Sequence, residues 1–361
     1  MRIAGGGLSG LATAVLLARR GIPAEVFERR DSAGGRFAGG WQILENGTSD
    51  EDVLAELVAL GIGPGFDAVP AFRAVFLDPS GGVHETGSAS PFAYFVRRGG
   101  GEGSLDHWLE RRAAELGVTI HRGAAAPAGA DVVATGPRQA DGVAREVVFR
   151  TSLPDTVAVL FDPRVTPTGY AYLFSLKGHA TFGVAQVRRI GGLRQAQSEA
   201  WRRFRDHLGP FSVELLHEGG QFMNFSLPSD LRGSGGAWYV GEAAGVQDFL
   251  YGLGNRLALR SAALAAAGVA GEWDRDAFRS RVVTPMRATI ALRFVYERMG
   301  PHAFASFCRA AGRRDLRDML IAMQRPRALG RLLSAPVMAA WRERRGCGHA
   351  PTCGWCRRRE G

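Results

Sequence analysis

Residues 2 to 21, RIAGGGLSGLATAVLLARRG, set three glycines, Gly5, Gly7 and Gly10, between a short apolar run and a helical pattern. Leu11, Ala14, Val15 and Ala18 recur at helical spacing until Gly21, so the order is strand, glycine turn, helix. This is half a βαβ unit. The second strand, AEVFE over 24 to 28, ends on Glu28, eighteen residues past Gly10 and close to the interval of about 20 expected for a dinucleotide fingerprint. In such a unit Gly5 permits the tight turn, Gly7 lets backbone approach a pyrophosphate, and Gly10 lets helix pack on strand. The helix start, at Leu8 and Ser9, supplies amides and the positive end of the helix dipole. Glu28 would accept hydrogen bonds from a ribose.

The 361 residues, 46% hydrophobic and 22% charged, are enough for one large domain or two interleaved ones. The net charge of +10 comes almost wholly from arginine, Lys177 being the only lysine. In a chain rich in Ala and Gly that reads as coding bias, so no nucleic-acid partner is expected. No apolar run reaches the length of a membrane span, and the first apolar stretch is broken by glycines, which predicts a cytoplasmic protein.

Beyond the first unit, Thr48 and Glu51 have capping-box spacing for a helix over 48 to 60. A hairpin-like pair is expected at 72 to 77 and 83 to 85, and a helix over 103 to 117 leads to strands at 118 to 121 and 131 to 135. From 145 to 226 the pattern turns to strands, with one helix near 195 to 208. Lys177-Gly178 reads as a turn, His179 as a loop residue and GGGEG, 99 to 103, as a flexible connection. A strand at 237 to 241 and a helix from 255 restore α/β character, and the remainder is helical. The fold class is therefore α/β: a Rossmann-type nucleotide-binding domain interleaved with a β-sheet substrate domain, followed by a helical C-terminal region. The segments assigned to the nucleotide domain are 1–70, 94–144 and 234–272. Those of the substrate domain are 71–93 and 145–233, with helices over 273–346 and a Cys/His tail over 347–361.

The first motif alone does not choose between NAD and FAD. Its place at the start of the chain and the basic loop beyond Glu28, with Arg29, Gly35 and Arg36, favour FAD, because an arginine there can reach cofactor phosphates. So does WYVGEAAGVQDFLYGLGNRLALRSAALAA, 238 to 267, where Gly241-Glu242 ends a strand and Gly252-x-Gly254-Asn255 opens a helix. A helix start aimed at the flavin pyrimidine favours its anionic reduced form.

On these motifs the chain resembles the FAD-dependent oxidoreductases of the aromatic-hydroxylase superfamily, geranylgeranyl reductase-like branch. GGGLSG with Glu28 looks like the ADP-binding end. FVRRGGGEGSLDHWLERRAAELGV resembles the family's arginine-then-helix segment, which implies a cofactor role for Arg97. GEAAG…GLGN resembles the closing flavin motif, with Glu242 where an aspartate usually holds the ribitol and Phe249 in place of proline. TGYAYLFSLKGHATFGVA, 168 to 185, is similar to the reductase signature, with Tyr172 for tryptophan, Ser175 for proline and Ala185 at the closing glycine.

The resemblance implies hydride transfer from reduced flavin to a carbon–carbon double bond of a small hydrophobic, isoprenoid-like substrate. Tyr170 and Tyr172 are the candidates to line the pocket or supply the proton, although a Tyr-x-Tyr pair equally describes one face of a packed sheet. The electron donor is unspecified, with NAD(P)H as a candidate transient reductant. The rival chemistry on the same scaffold is flavin monooxygenation of a small aromatic or apolar substrate.

The tail holds Cys347-x-His349-x3-Cys353-x2-Cys356, four soft ligands suited to tetrahedral Zn2+. A third reading follows, a zinc-tailed docking module on a flavoprotein scaffold. Cys308, in an apolar helix, is expected in the core. Leu320, Met323, Leu329, Leu332, Leu333, Val337 and Met338 among arginines fit a helix packed on the substrate domain, or one in peripheral contact with the inner face of a membrane.

Overall fold

A computed structural model describes residues 1–63, 65–188, 191–325 and 348–353. Its first sheet has five parallel strands in the order Trp238–Tyr239, Val132–Val133, Arg2–Ala4, Glu25–Glu28 and Thr119–Arg122. Strands from both ends of residues 1 to 240 thus share one sheet. The helix Leu8–Ala18 lies against Leu105–Glu115 and Asn255–Val269, burying Leu11, Val15 and Leu17 completely. Its apolar residues run all round because it is covered on every side.

A seven-stranded sheet follows the order Glu214–Met223, Gly142–Arg150, His179–Val187, Gly169–Leu176, Thr156–Leu160, Arg73–Leu77 and Val83–Gly87. Its pairs are antiparallel except Thr156–Leu160 with Arg73–Leu77. Alternation along Gly169–Leu176 gives the sheet two apolar faces. Leu173 packs with Phe182 and Phe204 under the helix Leu193–Leu208, whereas Tyr172 and Phe174 join the core shared with the nucleotide domain. A third sheet, Trp41–Glu45, Ala93–Arg97 and Ala68–Ala71, lies between, its Phe95 ring 4.7 Å from that of Phe174. Helices Thr284–Tyr296, Pro301–Ala311 and Leu316–Gln324 follow in the C-terminal region. Cys308 is buried there, as its apolar helix predicts, and burial pushes its thiol up to about 12.

The α/β architecture is the one anticipated, with local differences. The helix expected over 48 to 60 is Val53–Ala59, and its cap is Asp52, which accepts from Leu54 N at 2.9 Å and Ala55 N at 3.3 Å. Thr48 instead donates to Glu45 at 3.0 Å, so the buried carboxylate outcompetes the helix for that hydroxyl. Lys177-Gly178 is the expected turn, and His179 opens a strand rather than lying in a loop. The GGGEG stretch is a folded turn, with Gly99 N donating to Asp106 at 2.8 Å. No helix among the described residues is long and apolar enough to cross a membrane. Leu320 and Met323 pack against the core from Leu316–Gln324, while Leu329, Leu332, Leu333, Val337 and Met338 lie outside the described residues.

Candidate functional site

The glycine turn sits where the strand Arg2–Ala4 meets the helix Leu8–Ala18. Gly5 adopts φ +107°, and a Cβ there would lie 2.4 Å from Ala134 O. At Gly10 a Cβ would lie 2.0 Å from Gly5 O, so helix and turn touch through backbone alone. Gly7 differs, because a Cβ there meets nothing within 4 Å. The space beside it is open. The helix start carries no side-chain cap and no acid in its first turn, so the amides around Leu8 and Ser9 are offered to an external anion.

Glu28 closes this turn from the next strand, accepting from Gly6 N at 2.7 Å and Arg30 N at 2.9 Å. The loop beyond folds back, Gly34 N donating to Gly6 O at 3.2 Å. Arg29 points into solvent, while its neighbour Arg30 donates to Gly35 O at 3.0 Å. Arg36 then reaches across 206 residues of sequence to Glu242, Nη2 to Oε2 at 2.5 Å. That ion pair joins the two glycine motifs.

The second motif is anchored at each end. Gly241 N donates to Ser261 at 2.9 Å, Asn224 donates to Glu242 O at 2.9 Å and Gln247 to Gly252 O at 2.6 Å. Gly254 precedes a helix with no side-chain cap and no first-turn acid, a second free set of amides. Asn255 at its start donates to Ile43 O at 2.8 Å and accepts from Arg98 Nη1 at 2.6 Å. Arg98 also forks onto Asp106 and is buried. Arg97 is placed elsewhere, on the surface with Asp67 at 3.1 Å and Glu102 O at 2.7 Å. The sequence reading passed over Arg98, although Asp106, in the first turn of the following helix, is the partner that marks it.

Tyr170 and Tyr172 share the face turned toward the nucleotide domain, their ring centroids 5.8 Å apart. Tyr170 donates to Tyr251 O at 2.6 Å. Tyr172 donates to Glu146, which also accepts from Gln42 at 2.9 Å and Gln221 at 3.1 Å. Glu146 was not anticipated; an acid directly before the apolar run Val147–Phe149 in REVVF was its signal. Burial first, then the charge and hydrogen bond of Glu146, push the Tyr172 phenol well above its ordinary value. Beside the pair runs a cleft lined by Arg36, Phe37, Gln42, Glu146, His217 and Gln221. Cross-strand pairing corrects one reading. Tyr170 faces Ala185 and Tyr172 faces Gly183, where a Cβ would lie 2.5 Å from the phenol ring. The glycine the aromatic needs is therefore Gly183, eight residues past Ser175, and not position 185.

Of the tail residues, Cys347 and Cys356 lie outside the described residues. His349 and Cys353 are brought together, Nδ1 to Sγ at 3.8 Å, with His349 Nε2 2.7 Å from Asp141. Among the described residues no group of three potential ligands converges.

Residues 3–48, which hold the turn, Glu28 and Arg36, match a family model described as an NAD(P)-binding Rossmann-like domain. A geranylgeranyl bacteriochlorophyll reductase-like protein from Thermoplasma acidophilum superposes with a TM-score of 0.67 at 16% identity, covering 92% of this chain and 97% of its own. The p-nitrophenol 4-monooxygenase of Pseudomonas putida DLL-E4 gives 0.61 at 15% identity, covering 94% and 96%. The chain has the fold of the flavin-dependent oxidoreductases. A flavin-dependent halogenase, CmlS, shares this flavoprotein fold with a TM-score of 0.56 at 17% identity over 94% of this chain and 76% of its own. No curated protein matches the sequence.

Proposed function

We propose that the protein is an FAD-dependent oxidoreductase that reduces carbon–carbon double bonds of a hydrophobic, isoprenoid-like substrate. The observation that carries this reading is the open position at Gly7, set beside an uncapped helix start and flanked by Glu28. The residues fit the cofactor. Amides of Gly7 to Gly10 would hold the pyrophosphate, Glu28 the adenosine ribose, and Glu242 with Arg36 the stretch toward the ring. When bound, reduced FAD supplies hydride, with NAD(P)H as the visiting reductant.

The chain's own part is to orient the substrate, exclude water and hold a proton. Tyr170, Tyr172 and Phe174 form an aromatic row on the sheet face, backed by Phe95 of the third sheet, which packs on Phe174. Tyr172 stays protonated at neutral pH because burial and Glu146 both disfavour its anion. It thus keeps its proton, held toward Glu146, and we assign it the delivery to the second carbon, the hydroxyl turning from Glu146 to the substrate and the proton being replaced from solvent. Gln42 and Gln221, both bonded to Glu146, set that carboxylate's position.

A second reading is favoured by the polar lining of the cleft, where Arg36, His217 and the two glutamines offer hydrogen bonds and the roughly 20 Å³ of free space takes one polar group, such as a phenol oxygen. That reading is monooxygenation, the activity named for the Pseudomonas neighbour. Anaerobic mixing separates the two. If dithionite-reduced protein returns to the oxidised spectrum on addition of geranylgeraniol, and the alcohol gains hydrogen by mass spectrometry, the reductase reading holds. Reoxidation that needs oxygen, with p-nitrophenol hydroxylated and geranylgeraniol recovered unchanged, supports the second.

A further inference from the structure

We propose that two copies of the protein pair edge to edge through the strand Glu214–Met223, about Gly219, so that their seven-stranded sheets become one continuous sheet. The two edges of this sheet are treated differently. Val83–Gly87 is covered by the C-terminal helices: Thr86 donates to Ala311 O at 3.0 Å, Gly87 bridges Asp315, and Ser88 donates to Asp315 at 3.0 Å. Glu214–Met223 ends the sheet on the other side, and of its ten residues only Met223 is buried. It contains neither lysine nor proline, the residues that commonly guard an edge.

What this edge presents is apolar. Leu215 is 60% exposed, Phe222 58%, Val213 45% and Leu216 43%, and among the described residues no other stretch gathers so many large exposed apolar side chains. The acids of the strand are matched from its inner neighbour, Glu214 by Arg150 at 2.9 Å and Glu218 by Arg145. An edge strand's outward amides and carbonyls call for another strand, and with its carboxylates already paired this one does not repel its own copy.

The residues of the strand select the register. Side chains opposite each other in an antiparallel pair share a face, so a twofold axis must pass through a residue and not between two. Centred on Glu218, the pairing would set that carboxylate against its copy, and centred on Gly220 it would set Glu218 against Phe222. Centred on Gly219, it sets Leu216 against Phe222 of the partner subunit and Glu218 against Gly220 of the partner subunit, each twice, with no side chain at the axis. The register shift between Val148 and Phe149 skips Leu216, so the ladder from His217 to Met223 is regular. Arg145, opposite Gly220, bonds both Glu218 and Gln197 of the helix Leu193–Leu208, which puts Glu218 and Phe222 on the helix-bearing face, with Leu216 continuing the alternation. His217, Gly219 and Gln221 take the other face, where they line the cleft beside Glu146. There the same register brings Gln221 of the partner subunit opposite His217, so the second copy would continue the wall of that cleft. The inference concerns the sheet edge and stands whether or not the protein binds flavin.

Sedimentation velocity of the full-length protein over a concentration series tests the pairing. Wild type should pass from monomer to dimer with a dissociation constant on the order of micromolar, since a single strand pair is a small interface. Leu216→Lys and Phe222→Lys, both at exposed positions, should keep the wild-type melting temperature and stay monomeric throughout. Leu216→Lys/Phe222→Glu should dimerise again, because about Gly219 each introduced cation meets an introduced carboxylate of the other copy. Should a lysine variant fail to fold, Phe222→Glu serves instead, with circular dichroism as the control. A wild type monomeric at every concentration, which would leave the edge to a strand of another protein, overturns the proposal. So does a folded Phe222→Lys protein that dimerises as wild type does, or a double variant that stays monomeric. Flavin is read separately by visible absorption, so failure of either assignment is distinguishable from failure of the other.

Discussion

Arg98 closes a fork on Asp106, Nε to Oδ2 at 2.6 Å and Nη2 to Oδ1 at 2.9 Å, both side chains buried. Its remaining amino group donates to Asn255 at 2.6 Å, and Asn255 in turn donates to Ile43 O. One guanidinium thus ties the strand end at 97, the helix Leu105–Glu115 and the helix of the second glycine motif. Lysine keeps the charge but cannot make the fork or reach three acceptors. Arg98→Lys should cost about 2–4 kcal/mol in equilibrium urea denaturation. Arg97→Lys, at an exposed pair with Asp67, should cost under about 1 kcal/mol. Equal midpoint shifts for the two variants would contradict the assignment.

Asp78 links folding to acid. Burial pushes its carboxyl up, but the Ser80 hydroxyl, His84 and the Gly82 and Ser80 amides outweigh this and hold it at about 2. A native value below the unfolded one contributes stability that is complete above the unfolded pKa near 4 and lost as pH falls through about 2. The contribution corresponds to about 2 kcal/mol. Wild type should therefore exceed Asp78→Asn in stability by that amount at pH 6, with the gap closing toward pH 2. A gap independent of pH would show that the loss is one of packing alone.

Tyr170 and Tyr172 separate by what lies behind each hydroxyl. Tyr170 bonds a backbone carbonyl and Tyr172 a carboxylate. Tyr172→Phe should lower turnover about 10²- to 10⁴-fold, the range for loss of a positioned proton donor. Tyr170→Phe should cost about 1 kcal/mol of stability, one neutral hydrogen bond, with turnover changed little. Glu146→Gln should resemble Tyr172→Phe in turnover and shift the pH profile. Steady-state kinetics beside thermal melts checks all three, and comparable turnover losses at both tyrosines would remove the proton role from Tyr172.

What the sequence revealed divides by range. Gly5, Gly7 and Gly10 were legible because the roles of a turn glycine are local: one needs a positive φ, one leaves open space, one permits backbone contact. The strand-rich insert was legible from alternation, and the Lys177-Gly178 turn from its residues. Partners across long separations were not. Asp106 signals that a nearby arginine has a partner but does not tell Arg98 from Arg97, since a step of one residue reverses the face and only the folded sheet shows which side is buried. Glu146 and Asn224 read as ordinary polar residues until Tyr172, Gln42, Gln221 and Glu242 are brought beside them. The closing glycine, read at position 185, was legible at Gly183 from spacing alone, seven residues separating it from Ser175, and strand register agrees by setting it opposite Tyr172.

The central claim is that a dinucleotide pyrophosphate lies against Gly7, and Gly7→Val tests it with little risk to the fold. Backbone at Gly7, φ −87° and ψ −176°, is open to any residue, and a side chain there would project into free space. Wild type titrated with FAD should bind about one equivalent and turn yellow, while Gly7→Val should keep the wild-type melting temperature and bind at least about tenfold more weakly. A folded wild type that stays colourless with added FAD, or a Gly7→Val protein that binds it equally well, would contradict the account.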